Sequence, residues 1–489
     1  MSEASMNAPA ASSRIEAHVW RISFVVVIGS IMSILDTTIV NVALDRLGRE
    51  LHTTLADIQW VITGYMLSLA AVIPIAGWAA RRFGAKPLYL LSLVLFTAGS
   101  ALCGIADSST QLILFRVIQG LGGGMILPIG QLMMARAAGP QRMGRVMSIV
   151  AVPAMLAPIL GPTLGGLILD NLSWRWIFYV NVPVGVIAFV ASLKVLPRAD
   201  REPAGSLDYL GFALMATGLP LLTYGLAEIG ATGHFTGPKV VFPLIGSIVL
   251  IGAFIRHALH TERPLLDLRL YRRGTFASAS ITMFCLGAAL FGGMILMPLY
   301  WQQIRLEDVV KTGLLTAPMG LGMAVVMPLA GRLTDRLGGG PLALFGVTLT
   351  TIATIPFGFI GAHTSILWLS IAMVVRGIGV GFAFMPAMAA AFAALKPHEL
   401  SDATPQLNVL QRVGGSIGTA VLAVVLARAL VGAHTFGERA SAFGTAFWWS
   451  TAITALAIIP AIILVRSERR ARGAADRNVT PVLTAEAAA

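Results

Sequence analysis

The 489 residues are 56% hydrophobic and only 12% charged, with a mean hydropathy of +0.80, which excludes an ordinary soluble domain because no soluble core could bury that much apolar surface. The formal net charge of +12 does not signal nucleic acid, since the basic residues are scattered among loops and do not form one face with interleaved aromatics. The two cysteines, Cys103 and Cys285, lie inside apolar runs, so neither a disulfide framework nor a metal site is indicated.

The chain opens on a polar stretch, Met1 to Ala17, without the short apolar core and small-residue cleavage site of a secretory leader, so no cleaved signal peptide is expected. A spanning helix needs about 20 mostly apolar residues. Runs of that length follow near 20–42, 57–79, 87–107, 110–135, 143–169, 177–196, 209–228, 239–259, 276–299, 310–331, 341–361, 366–393, 406–430 and 442–465. An all-α polytopic membrane protein of fourteen spans is therefore expected, with both ends on one side. Counted with the N-terminus inside, 25 of the 35 Lys and Arg residues fall on the inner side and eight on the outer, so the positive-inside rule places both termini in the cytoplasm. Arg412, six residues into the run 406–430, is counted with the inner side, whereas Arg116 and Arg376 are left within spans four and twelve.

Self-similarity organises these spans. Gly77-Trp-Ala-Ala-Arg-Arg-Phe-Gly84 and Gly331-Arg-Leu-Thr-Asp-Arg-Leu-Gly338 each follow the second span of a six-span block, and the intramembrane arginines repeat in nearly the same register. The expected layout is a tail at 1–19, a six-helix half at 20–196, an inserted pair at 209–259, a second six-helix half at 276–465 and a tail at 466–489. Parallel halves related by an axis along the membrane normal imply a substrate site between them near the midplane, opened by rocking.

Asp36 is the one acid placed well inside a span, and a carboxylate there is costly and by default functional. Span one runs outward and span four inward, so Asp36 and Arg116 share a depth about 9 Å below the outer boundary. Movement of the arginine toward or away from the acid would switch its affinity for a proton; a fixed ion pair that merely holds helices together is the competing account. Arg376 has no evident partner, and packing or carbonyl bonding competes there with a functional role. Substrate contacts are expected from Asn41, Gln59, Trp60, Tyr65, Gln119, Phe382, Phe384 and Met385, polar or aromatic positions on cavity-facing spans, with helix packing the alternative for each. Candidate cytoplasmic gates are Gly77, Arg81, Arg82, Gly84 and Lys86 in the first half and Gly331, Asp335, Arg336 and Gly338 in the second.

Several stretches resemble the major facilitator superfamily, which is itself the usual illustration of the parallel-halves rule, and specifically its fourteen-span drug:proton antiporters of the EmrB and QacA type. These are Leu35-Asp-Thr-Thr-Ile-Val-Asn-Val-Ala-Leu44 in span one, Arg116-Val-Ile-Gln-Gly-Leu-Gly-Gly-Gly124 in span four, Ala157-Pro-Ile-Leu-Gly-Pro-Thr-Leu-Gly-Gly166 in span five and Trp174-Arg-Trp-Ile-Phe-Tyr-Val-Asn-Val-Pro-Val-Gly185. The resemblance implies a major facilitator fold of six, two and six helices and proton-driven export by alternating access, with no cofactor beyond the proton gradient. It also implies that Pro158, Gly161, Pro162, Gly165 and Gly166 form the antiporter motif, a bending or sealing element. The family usually has Asp at the position of Arg81 and Pro at that of Asp45, while the second repeat keeps its acid as Asp335; Arg81 is expected to pair instead with Glu399 or Asp402.

The implied partners are a small-molecule substrate, protons and the lipid bilayer of a bacterial cytoplasmic (inner) membrane. A periplasmic adaptor and outer-membrane channel, which some relatives use, are left open, as is the substrate: lipophilic cation, antibiotic, biocide or metabolite. A proton-coupled importer is the main alternative. An enzyme is disfavoured because the eight histidines are dispersed and no nucleophile stands beside a base, an ATP-driven pump because there is no phosphate-binding loop, and a receptor because no loop is long enough for a soluble module.

Overall fold

The computed structural model describes residues 16–139, 142–197 and 203–471, and among them only helices, turns and loops occur. Thirteen helical spans are long and apolar enough to cross a membrane. These thirteen, against fourteen expected, and the further helix α5 are in chain order α1 (Ala17–Glu50), α2 (Trp60–Phe83), α3 (Ala85–Gly104), α4 (Ser109–Ala138), α5 (Met143–Asn171), α6 (Trp176–Val195), α7 (Tyr209–Thr232), α8 (Pro238–His260), α9 (Gly274–Gln303), α10 (Val310–Leu337), α11 (Gly339–Phe359), α12 (Ile366–Ala393), α13 (Pro397–Leu430) and α14 (Phe436–Ala471).

These stretches are helical because a chain in hydrocarbon must satisfy its own backbone groups, and their starts are marked where the chain re-enters from water. Ser108, Asp208, Asp308 and Ser365 each accept a hydrogen bond from a backbone N–H of the first turn of α4, α7, α10 and α12. Thr435 and Glu438 form a reciprocal capping box at the start of α14. Gly84 and Gly338 sit at φ 92° and 97°, where a side chain would be strained, and turn the chain sharply from α2 into α3 and from α10 into α11.

Helix packing shows the two-fold repeat. In the first half α1 packs on α5, α2 on α4, and α3 on α4 and α6; in the second, α9 packs on α13, α10 on α12, and α11 on α12 and α14. The halves meet along two seams, α5 with α10 and α2 with α13. On the second seam α2 touches α13 through Ile73–Phe83, while Trp60–Val72 packs on α7 of the inserted pair, and α7 also packs on α13. The pair therefore fills the flank of this seam. α8 lies outermost and presents Phe242, Ile245, Ile248 and Val249 as an exposed apolar face, the surface expected toward lipid.

Helices overrun the apolar runs. α1 continues to Glu50, where Arg46 pairs with Glu50 and Arg49 with Asp45 on the same helix. The largest difference is at α13, which starts at Pro397 and not near 406. Arg412 therefore lies about 22 Å along the helix, deep in the bundle and not in a segment on the inner side. The polar opening turns of α13 read as a loop by hydropathy, but they face protein: Gln406 Nε2 donates to Asp267 O at 3.1 Å and Asn408 Nδ2 to Gln131 Oε1 on α4 at 2.7 Å.

Candidate functional site

A polar network is sealed inside the first half where α1, α3, α4 and α6 meet. Asp36 on α1 and Arg116 on α4 are 1% exposed each, and Arg116 Nη1 donates to Asp36 Oδ2 at 2.5 Å. The other carboxylate oxygen, Oδ1, accepts from Gln119 Nε2 and Asn181 Nδ2, both at 2.9 Å. Arg116 also donates from Nη1 to Gln119 Oε1 at 2.9 Å and from Nε to the Val61 carbonyl at 3.2 Å. Asn181 in turn donates to Ser100 Oγ at 3.1 Å. The Tyr65 ring covers the guanidinium, 4.1 Å from its carbon to the ring centre. A buried charge is tolerated when paired and hydrogen-bonded in this way, and loss of one partner leaves the other exposed to the full desolvation cost.

Helical spacing aims these groups. On α4, Arg116 and Gln119 are three residues apart and share a face. On α1, Asp36 points into the half, whereas its neighbours Ser33, Ile34 and Thr37 line a cavity between the halves of about 190 Å³. The carboxylate is thus one helix wall away from the cavity. The rest of the wall is soft and aromatic, with Met66, Met294, Met388 and Phe291 beside the polar side chains of Gln131, Asn408, Gln411 and Arg412.

The residues expected to line the cavity separate into groups. Phe384 and Met385 are on its wall. Gln119 and Tyr65 instead belong to the sealed Asp36 network, because their side chains are fully buried by the contacts above. Phe382 is withdrawn into an apolar cluster with Val326, Ala330 and Leu342 and stands edge-on to Phe345. Asn41, Gln59 and Trp60 are exposed, toward the end of α1 and at the start of α2, where Asn41 donates to the Thr37 carbonyl and Trp60 stacks on Tyr224 of α7. Sequence reasoning passed over Asn181, although it is an isolated amide in an apolar run. It also passed over Ser33 and Thr37, and over Arg412, which it counted with the inner side.

Both seams are latched on the face where α1 begins and α14 ends. Arg81 at the end of α2 pairs with Asp402 at the start of α13 (Nη1 to Oδ1, 2.5 Å). Of the two acids expected as its partner, Glu399 is engaged by Arg273 at 2.6 Å. On the other seam Asp335 at the end of α10 accepts from Arg145 Nε at 2.6 Å and from the Gly144 backbone N–H at 3.0 Å. A Cβ on Gly77 would collide with the Ser401 carbonyl oxygen, so only glycine permits this approach of α2 to α13; Gly331 is pressed against Arg145 and Ser148 on the mirrored seam. Lys86 lies beside the latch and caps α6 through the Leu193 and Leu196 carbonyls, while Arg82 and Arg336 are exposed. Within the expected antiporter motif, Gly161 and Gly165 face Thr38 and Ile39 of α1 and Gly166 faces Val310 of α10; the side chains of Pro158 and Pro162 lie outside those described.

Sequence comparison matches the Major Facilitator Superfamily over residues 26–419. The chain is 40% identical to the "Multidrug resistance protein B homolog" of Mycobacterium tuberculosis over 416 residues, 84% of this chain and 77% of that one. It is 30% identical to the "Multidrug export protein EmrB" of Escherichia coli K12 over 402 residues, 81% and 77% of the two chains. The solved structure of the proton:xylose symporter XylE superposes with a TM-score of 0.64 over 91% of this chain and 95% of that one; at 14% identity it shows the fold alone. With mirrored six-helix halves, a cavity between them and relatives of this kind, the chain is a multi-pass membrane transporter and not an enzyme, and it belongs to the major facilitator superfamily as a transporter of the EmrB type.

Proposed function

We propose that the protein exports small, largely apolar molecules in exchange for protons by alternating access, from the cytoplasm across a bacterial cytoplasmic membrane, with both termini inside. The observation that carries this reading is the sealed carboxylate of Asp36 one helix wall from the cavity. As a carboxylate it is held by Arg116, Gln119 and Asn181. Once protonated it loses its charge and its attraction for Arg116, and the side chains that bound it must rearrange. Because Ser33, Ile34 and Thr37 on the same helix line the cavity, rotation of α1 changes the cavity wall in the same step. Proton and cargo then compete through one helix, which is what exchange requires.

Opening toward the cytoplasm breaks the Arg81 with Asp402 and the Arg145 with Asp335 contacts, while α5 and α10 pivot on their glycine-lined faces. These latches stabilise the state in which that face is closed. Everted membrane vesicles holding a preformed pH gradient test the reading. Cargo added outside should dissipate the gradient if it is exchanged for protons. Proton movement in the same direction as cargo would establish an importer and overturn the export reading.

A further inference from the structure

The second half repeats the scaffold of the first but not its charge balance. Arg376 on α12 occupies the place that Arg116 has on α4, and it faces α9, the first helix of its half, as Arg116 faces α1. Opposite Arg116 stands Asp36; opposite Arg376 stand only Ala289, Leu290 and Gly293. Arg376 is 2% exposed, donates from Nη2 to the Ala289 carbonyl at 3.3 Å and from Nη1 to the Met319 sulfur at 3.7 Å, and its Nε has no partner among the described residues. It borders a cavity of about 90 Å³ whose wall shares Leu290 and Met294 with the larger cavity. On the wall of that larger cavity Arg412 makes no hydrogen bond or ion pair among the described residues. No Asp or Glu among the described residues lines either cavity.

Two guanidinium groups in adjoining, largely apolar cavities without a carboxylate create a positive site that water screens poorly. A planar guanidinium offers paired N–H donors matched to a carboxylate, sulfonate or phosphate. We infer that the cargo is an amphipathic organic anion: its charged group is neutralised by Arg412, with Arg376 behind it, and its apolar body packs among Met294, Met385, Met388, Phe291 and Phe384. The cargo thereby supplies the negative charge that the protein itself provides in the other half. A lipophilic cation in the same space meets two positive charges and no counter-charge, so the pattern selects by sign as well as by shape.

This inference rests on the export reading for the direction of transport, but its test needs no gradient, so either can fail alone. The full chain in lipid nanodiscs is titrated calorimetrically with naphthalene-2-carboxylate and with 2-naphthyltrimethylammonium, which share a body and differ in sign, against empty nanodiscs as blank. The carboxylate should bind at least about tenfold more tightly than the cation. Arg412→Gln should weaken the carboxylate by about tenfold, and Arg412→Lys, which keeps the charge, by less. Arg376→Gln should act in the same direction. If that variant does not fold, Leu290→Asp supplies the missing acid from the cavity wall and should lower carboxylate affinity by about tenfold while raising that of the cation. Equal affinity for the two ions, binding of neither, tighter binding of the cation, or no loss in Arg412→Gln would each overturn the inference.

Discussion

The two halves of this protein share one helix-packing plan and differ in what they do with a buried arginine. In the first half Arg116 is neutralised within the protein by Asp36, and that carboxylate is saturated by Gln119 and Asn181. In the second half Arg376 has a carbonyl, a thioether and an unsatisfied Nε. Backbone architecture follows from helix length and small-residue packing, which both halves repeat. Charge balance depends on single residues, and there the halves differ. The consequence in our reading is a division of labour, with proton exchange in the sealed half and cargo recognition in the half left uncompensated.

The most severe way to break this comparison is to remove the acid that distinguishes the first half. Asp36→Asn should reduce proton-coupled export to background in the vesicle gradient assay while the purified protein stays monodisperse and still binds cargo. Loss of folding instead of loss of coupling would favour a fixed structural ion pair, because an unpaired buried Arg116 costs about 3–5 kcal/mol. The next effect concerns the groups that hold the carboxylate. Asn181→Ala removes one buried hydrogen bond to a charged group and Gln119→Ala two, to Asp36 and from Arg116, each worth about 1.5–3 kcal/mol, and either should slow gradient dissipation by about tenfold or more, Gln119→Ala the further.

The latches sharpen the comparison on the two seams between the halves. Asp402→Arg sets two arginines against each other and should lower transport several-fold, and Arg81→Asp added to it should restore most of the activity by reversing the pair. A double variant no better than the single one would remove the ion pair from the gating scheme. The smallest effect is expected on the opposite face, where Arg49 and Asp45 pair along the exposed end of α1. Arg49→Ala should change thermal stability by about 0–1 kcal/mol, the range of exposed pairs, and leave the transport rate unaltered.

Much of the scaffold was legible from hydropathy because hydrocarbon imposes one rule, that every backbone group be satisfied within its own helix. The repeat around Gly77 and Gly331 was legible because close helix approach and a sharp turn demand glycine at fixed places. Asp36 and Arg116 stood out for the same physical reason, the cost of charge in an apolar span, and the depth argument placed them together. Arg81 was expected against Glu399 or Asp402, and the structure pairs it with Asp402. Arg412 was misplaced because hydropathy cannot tell a polar helix face turned toward protein from a loop in water. Gln119 and Tyr65 were assigned to the cavity since a linear pattern reports which residues are polar or aromatic but not the direction in which a helix turns them.

The sequence by itself determined that this chain is a helical membrane protein of two repeated halves, and that one acid and two arginines within its spans require an explanation, because the cost of burying polar groups in hydrocarbon is paid locally, residue by residue. Only the tertiary structure decided which side chains share the acid, that a third arginine opens on the cavity, and that no carboxylate among the described residues answers Arg376. Those outcomes depend on the rotation of each helix about its axis and on contacts between residues far apart in the chain, such as Asp36 with Asn181 and Arg81 with Asp402, which no local pattern encodes.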